Sequence, residues 1–137
     1  MTIALASTYL LFFEGCYSTD LDVICLLLVK NGHDLYDFFK RKYVSDLESI
    51  GNIDISSKFR FLEEHGLKSL TNEQFRELRN KVAHLEFEAL EKGEIRIRDK
   101  TVNIVLKTKE LCAFTREISV LLGEVLLEEK NRLSRIA

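Results

Sequence analysis

Residues 71–93 read TNEQFRELRNKVAHLEFEALEKG and predict one amphipathic helix. Thr71 with Gln74 three residues later has the form of a capping box, which favours a helix start, and Gly93 favours a helix end. At about 100° per residue, the apolar side chains of this helix fall on a narrow stripe that would face the core. The stripe consists of Phe75, Leu78, Val82, Leu85 and Ala89.

The segments on either side of this helix are also predicted to be mainly helical. The chain contains no proline, so no proline break interrupts the helical spacing of its apolar residues. Helices are expected over about 4–17, over 19–47 with a bend at Gly32, from Asp54 or Ser56 to Gly66, and from about Thr108 onward.

Residues 94–106 depart from the helical pattern. Ile95, Ile97, Val102 and Ile104 alternate with polar residues around an Asp-Lys pair, which predicts a small two-stranded hairpin. Two strands alone are barely stable in water, so this hairpin is expected to pack on the helices. The predicted fold is therefore all-α: a single domain over 1–137, built as a compact bundle of four to five helices with a small β-hairpin before the last helix.

The charge of the chain is balanced overall. Its 20 Lys and Arg residues against 22 Asp and Glu residues give a net charge of −2, so the overall field does not attract nucleic acid. The window 76–109 differs, because its nine basic and six acidic side chains give it a charge of +3. Any contact with RNA is therefore expected from this local region.

The three cysteines, Cys16, Cys25 and Cys112, are odd in number and have no Cys-x-x-Cys spacing. They predict neither a disulfide framework nor a zinc site, and Cys25 in its apolar run is expected to be a buried, reduced thiol. No metal or cofactor is expected. The apolar runs over 1–13 and 23–29 are too short and wrongly flanked for a membrane span or a signal peptide, so we expect a cytoplasmic protein without a membrane partner.

Two side chains of the 71–93 helix are suited to phosphodiester chemistry. Arg79 is a permanent cation whose planar fork binds phosphate, and His84 can transfer a proton near neutral pH. Opposite the apolar stripe lie Asn80, Ala83 and Phe87, flanked by this pair. A small residue on that face allows close approach of another helix, so the face is predicted to be a place where another element packs.

A purely structural interpretation of the same residues is also open. In a helical bundle both faces of a helix can contact neighbours, with the amide of Asn80 hydrogen-bonded and Arg79 paired to Glu73 or Glu77. The Arg and His would then have no catalytic role.

The string Leu-Arg-Asn-Lys-Val-Ala-His over 78–84, on a helix of a small helical domain, resembles the signature of the HEPN superfamily (higher eukaryotes and prokaryotes nucleotide-binding). That signature is an Arg, four to six intervening residues and a His, commonly with Asn directly after the Arg. Arg79, Asn80 and His84 match it residue by residue. A short helix before the motif and a Gly-x-Ile-x-Ile stretch over 93–97 are also similar, so the resemblance covers roughly 54–127.

The resemblance implies a metal-independent endoribonuclease that acts as a homodimer, often as a toxin or defence effector. His84 would handle protons, Arg79 would steady the phosphate, and Asn80 would orient His84 or the scissile phosphate. The two copies would meet at a dimer interface formed by Asn80, Ala83 and Phe87. Attack by the 2′-hydroxyl of RNA needs a base, an acid and a group that stabilises the phosphorane charge, which two copies across a two-fold axis supply better than one. A 2′,3′-cyclic phosphate is the expected product, and the RNA backbone would contact Arg76, Lys81, Arg96 and Arg98.

One position departs from the pattern of some members. Toxins controlled by a nucleotidyltransferase antitoxin carry a Tyr two positions after the His, where this chain has Glu86. An antitoxin or nucleotidyltransferase partner is still an open alternative, but the chain lacks the Tyr that such an antitoxin would modify. Many members have lost catalysis, so a non-catalytic HEPN module that binds a nucleotide or a protein partner is the alternative, and an unrelated helical adaptor is the third.

Overall fold

A computed structural model describes residues 1–136 of the chain. Most of these residues are helical, as predicted, and the strands form two small antiparallel sheets. The elements are, in chain order, α1 (Thr2–Phe12), a π-helical turn (Phe13–Tyr17), α2 (Ser18–Lys30), β1 (Leu35–Asp37), β2 (Lys42–Val44), α3 (Leu47–Gly51), α4 (Ile55–Glu64), a 3-10 turn (Lys68–Leu70), α5 (Glu73–Ala83), β3 (Glu88–Ala89), β4 (Glu94–Ile97), β5 (Lys100–Asn103) and α6 (Ile104–Ile136).

The π-helical turn joins α1 to α2 in one continuous helical segment, which supplies the centre of the core. In a regular α-helix each four-residue step turns the side-chain direction by about 40° around the axis. Residues at this spacing therefore drift away from one face over several turns. The wider π turn compensates part of that rotation. Five fully buried side chains at four-residue spacing therefore reach one core: Tyr9, Phe13, Tyr17, Leu21 and Cys25.

Helices α5 and α6 both pack on this segment, α5 through α1 and α6 through α1, the π turn and α2. The buried side chains of α6 follow the helical period over its first half, at Ile104, Leu111, Thr115, Ile118 and Leu122. The predicted burial of the Cys25 thiol is confirmed, and burial raises its pKa to about 12. Among residues 1–136, no helix is both long and apolar enough to cross a membrane.

The hairpin predicted before the last helix is present as β4 and β5, with Ile95 opposite Val102. Two details of that prediction are wrong. A third strand, β3, pairs with β4 on its other edge, and Ile104 begins α6 instead of extending a strand. Ile95 and Ile104 are both fully buried, so the small sheet is held on the helices as expected.

The long helix predicted over 19–47 is wrong in its second half. Helix α2 ends at Lys30, where Gly32 adopts φ +94° and the His33 N–H donates to the carbonyl of Leu28. These bonds form a Schellman motif, which ends a helix at a residue in the left-handed region. The following residues form the β1–β2 hairpin, with Leu35 opposite Val44.

The short helix predicted over 54–66 is confirmed as α4. The carboxylate of Asp54 accepts a hydrogen bond from the Ser57 N–H at 3.0 Å, so Asp54 is the N-cap. Gly66, with φ +79°, ends the helix through a second Schellman motif in which the Leu67 N–H donates to the carbonyl of Leu62 at 2.9 Å.

Helix α5 is shorter than the helix predicted over 71–93. Its N-cap is Asn72, whose side chain accepts from the Phe75 N–H at 3.0 Å, so the predicted Thr71 cap is wrong. Phe75, Leu78 and Val82 are buried as predicted, but the helix ends at Ala83. The predicted stripe stops there: Leu85 is 76% exposed, and Ala89 lies exposed in β3.

Candidate functional site

Helix α5 is fixed to the core by two buried tyrosine hydroxyl groups. Tyr9 donates to the carbonyl of Phe75 at 2.8 Å. Tyr17 donates to the carbonyl of Leu70 at 2.6 Å and accepts from the Asn72 N–H at 3.1 Å, directly at the start of the helix. Burial raises the pKa of both phenols, so they stay protonated hydrogen-bond donors. The helix that carries the Arg-Asn-x-x-x-His string is therefore rigidly positioned.

Arg79 lies at the middle of a chain of three polar side chains. Its Nε donates to Glu14 Oε1 at 2.5 Å, and its Nη1 donates to Asn80 Oδ1 at 3.0 Å. Glu14 belongs to the π-helical turn, and such turns occur frequently at functional sites. Because Arg79 holds the amide oxygen, the amide NH₂ of Asn80 is left to donate to another group. The predicted pairing of Arg79 with Glu73 or Glu77 is wrong.

His84 is the C-cap of α5, and its ring is exposed. Its backbone N–H donates to the carbonyl of Asn80 at 3.0 Å. The helix ends here through a third Schellman motif: the Leu85 N–H donates to the carbonyl of Val82 at 3.2 Å, and the Glu86 N–H donates to that of Lys81 at 2.8 Å. Leu85 therefore occupies the left-handed position, with φ +55°.

A cleft of about 250 Å³ lies along one side of α5 and its C-terminal end. It brings together Asn80 and His84 with three of the four cations predicted to bind the RNA backbone. Its acidic lining was not predicted. The lining residues are Glu73, Arg76, Glu77, Asn80, Lys81, His84, Glu86 and Arg98.

The formal charges of this cleft cancel, with three basic and three acidic side chains. Arg76 pairs with Glu73 at 2.6 Å and also donates to Ser56 Oγ at 2.8 Å. Lys81 pairs with Glu86 at 2.7 Å, and this hydrogen bond lowers the pKa of the Glu86 carboxyl. A phosphate in the cleft would therefore compete with carboxylates for Arg76 and Lys81.

Four residues of the predicted site lie outside this cleft. Arg79 contacts it only through Asn80, while Arg96 pairs with Glu88 across β3 and β4 at 3.2 Å. Ala83 is exposed on the last turn of α5. Phe87 lies beyond the helix, half-buried against the core. The predicted helical face of Asn80, Ala83 and Phe87 is therefore wrong for Phe87, because the helix ends before it.

A second cleft of about 440 Å³ adjoins the first and shares Glu77 and Arg98 with it. It lies between α5 and the β4–β5 hairpin. Its floor is apolar, from Leu78, Ile97 and Val102. Its further cations are Lys100 and Lys107, and Glu77 and Asp99 contribute two carboxylates. An apolar floor with cations at its edge suits a flat ring that carries a charged group.

Glu14 is the functional candidate that the sequence did not indicate. It lies 65 positions before Arg79 and in a different helical segment, so no local spacing connects the two residues. Within residues 1–136 no group of three or more His, Cys, Asp or Glu side chains could hold a metal ion.

Comparison of the chain with protein-family models, with curated proteins and with solved structures found no match.

Proposed function

We propose that this chain is a HEPN-type endoribonuclease that cleaves RNA without a metal ion and acts as a homodimer. The observation that supports the proposal is the cleft at the end of α5, which joins Asn80 and His84 to Arg76, Lys81 and Arg98. Every one of these residue types contacts phosphate or transfers a proton in RNA cleavage. In the proposed biological role the enzyme is a toxin or defence effector in the cytoplasm.

The chemistry starts with the 2′-hydroxyl of the RNA, which attacks the adjacent phosphate. His84 exchanges the proton, since its exposed ring can reach a bound strand. Arg79 supports the site through Asn80, whose free amide NH₂ donates to a phosphate oxygen. The 5′-oxygen leaves with a proton, and a 2′,3′-cyclic phosphate remains on the other fragment.

A second copy of the chain supplies the remaining catalytic groups. One His84 cannot act as base and acid at once, whereas two copies related by a two-fold axis provide one of each. The contact is proposed to form around Ala83, which is exposed and small, and Leu85, whose exposed side chain follows it. This region replaces the helical face that included Phe87.

The experiment is cleavage of a mixed RNA substrate by the purified protein in EDTA. We expect cleavage by the wild-type chain and at least about 100-fold slower cleavage by His84→Ala and by Arg79→Ala. Matched controls are His33→Ala and Arg60→Ala, which remove the same residue types from exposed positions outside both clefts. Cleavage that needs a divalent metal ion, or that survives both site variants, would contradict the proposal.

The second candidate is a non-catalytic HEPN module that binds a nucleotide. It is favoured by the larger cleft, whose apolar floor and the cations Arg98, Lys100 and Lys107 suit a base with its phosphates. It is also favoured by the Glu14–Arg79 pair, because an Arg held by a carboxylate is less available to RNA. An absence of cleavage together with saturable nucleotide binding that is weakened by Lys100→Gln would select this candidate.

A further inference from the structure

The β1–β2 hairpin has one face in the core and one face in solvent. Leu35, Asp37 and Val44 point inward and are only 4–5% exposed. Because successive side chains of a strand point to opposite faces, Tyr36 and Tyr43 point outward. The two tyrosines are directly opposite each other in the register.

The outward face carries a cluster of aromatic rings. The ring centroid of Tyr36 lies 5.0 Å from that of Phe38 and 5.0 Å from that of Tyr43, each at a steep interplanar angle. Phe38 and Tyr43 are each 68% exposed, and the neighbouring Phe39 is 99% exposed. Phe38 and Tyr43 pack on Tyr36 but keep most of their surface exposed, and Phe39, next to Phe38 in the chain, is almost fully exposed. The three rings therefore form an open aromatic surface.

The turn of the same hairpin is strongly basic. Lys40, Arg41 and Lys42 follow one another and are all exposed. Asp46, the N-cap of α3, lies within electrostatic range of Lys42. Closer to the turn, the Asp37 carboxylate is buried and accepts hydrogen bonds from the N–H groups of Phe39 and Lys40 at 2.9 and 3.1 Å. That carboxylate shapes the turn from inside, and residues 38–45 contain no acidic residue. Lys42 pairs with Asp37 in the register and so lies on the other side of the strand from Tyr43, whereas Lys40 and Arg41 lie in the turn next to the exposed rings. Cations next to exposed rings favour a ligand that carries both negative charges and aromatic rings.

We propose that the β1–β2 hairpin is a binding site for single-stranded RNA. Unpaired bases stack on Phe39, Phe38 and Tyr43, and the phosphates contact Lys40 and Arg41. Bases inside a duplex are already stacked on each other and cannot reach the rings. The hairpin contributes no residue to either cleft at α5, so its binding of RNA does not depend on cleavage there.

Single-stranded RNA fits this surface better than an anionic membrane does. Insertion of Phe39 to the depth of the acyl chains would carry Lys40 and Arg41 with it, because they follow Phe39 directly in the turn. The tyrosine hydroxyl groups beside the rings also have polar partners on a nucleotide. When a base stacks on the rings, its phosphate lies beside the cations of the turn.

The test is a binding titration with a fluorescein-labelled RNA of about 12 uridines, a length suited to one such site, in EDTA. The His84→Ala protein is used so that the probe stays intact. We expect Phe39→Ala to weaken binding about 5- to 150-fold, the range of one base–aromatic stack. Lys40→Gln is expected to lower the slope of log Kd against log salt by about 0.7. Leu11→Ala, which removes a largely exposed apolar side chain from α1, is the control and leaves binding unchanged.

Three results would overturn the inference. They are unchanged binding by Phe39→Ala, tighter binding of a duplex RNA than of the single strand, and binding of phosphatidylserine vesicles that is lost in Phe39→Ala while RNA binding is kept. The cleavage assay is separate. If Phe39→Ala loses RNA binding, the hairpin site is supported, even if the wild-type chain does not cleave RNA. If the wild-type chain cleaves RNA and the hairpin variants bind RNA normally, the hairpin site is refuted and the proposed ribonuclease activity is not.

Discussion

Glu14 Oε1 lies 2.5 Å from Arg79 Nε, and this contact joins the π-helical turn to the motif helix across 65 positions of sequence. The carboxylate fixes the plane of the guanidinium group, which in turn holds Asn80 at 3.0 Å. It also places a negative charge next to the cation that is proposed to support phosphate binding. Glu14 therefore orients Arg79 and weakens its attraction for RNA at the same time.

The variant Glu14→Gln separates these two effects. Its amide oxygen can still accept from Arg79, but the negative charge is gone, so we expect RNA to bind several-fold more tightly. The free energy of unfolding is expected to change by less than about 1 kcal/mol, because both side chains are partly exposed. Affinity is measured by titration in the His84→Ala background. Unchanged binding would show that Arg79 does not contribute to a phosphate site.

The backbone at Leu85 offers a second prediction. A left-handed φ costs a residue with a Cβ roughly 1–2 kcal/mol, whereas glycine adopts it freely. Leu85→Gly is therefore expected to raise the free energy of unfolding of the monomer by about 1 kcal/mol, since the side chain is exposed in a single chain and loses little burial there. Chemical denaturation measures the change. Leu85→Ala keeps the Cβ and is expected to give no gain; a loss of stability in the glycine variant would contradict this account.

The three Schellman motifs explain which helix ends could be predicted. Gly66 ends α4 where expected, because glycine is the usual residue at the left-handed position. Gly32 ends α2 in the same way, although the sequence predicted only a bend. At the end of α5 the left-handed position is occupied by Leu85 instead of a glycine. The sequence therefore contained no sign that the helix ends at Ala83. The predicted buried positions up to Val82 were right. Phe87 was wrongly placed on the helix because the end of the helix was not predicted.

The dimer proposed for catalysis makes a prediction at Ala83. This residue is exposed at the end of α5, so an arginine there can point into solvent without disturbing the fold of one chain. Ala83→Arg is expected to convert dimers to monomers in sedimentation velocity and to abolish RNA cleavage with them. Ala4→Arg, at an exposed alanine of α1, is expected to leave the mass and the cleavage rate unchanged. A wild-type chain that sediments as a monomer at assay concentration would contradict the composite site.

A buried ion pair between α2 and α4 is expected to be important for stability alone. Lys58 Nζ lies 2.5 Å from Asp22 Oδ1, with side chains only 3% and 15% exposed. Lys58→Met leaves the Asp22 charge buried without its partner and is expected to cost about 3–5 kcal/mol in unfolding free energy. The double variant with Asp22→Asn should lose less, because neither charge remains. Equal losses in the single and double variants would show that the pair is not coupled.

The candidate site could be predicted only as far as local spacing reaches. Asn80 and His84 are one turn apart, so a helix was enough to bring them together. Three cations of the basic window, Arg76, Lys81 and Arg98, line the same cleft. Contacts between distant segments could not be predicted in this way. They include the partner of Arg79, the hydrogen bonds of Tyr9 and Tyr17, and the aromatic hairpin, which the sequence presented as a continuation of a helix.

The central claim is that RNA is cleaved by its own 2′-hydroxyl group with no metal ion, in a site built from Arg79, Asn80 and His84. The most direct measurement is the chemical nature of the new 3′ ends after digestion of RNA in EDTA, determined by mass spectrometry of the fragments. We expect a 2′,3′-cyclic phosphate on each new 3′ end, produced by the wild-type chain and missing with His84→Ala. New 3′-hydroxyl ends, or fragments that form only after a divalent metal ion is added, would contradict it.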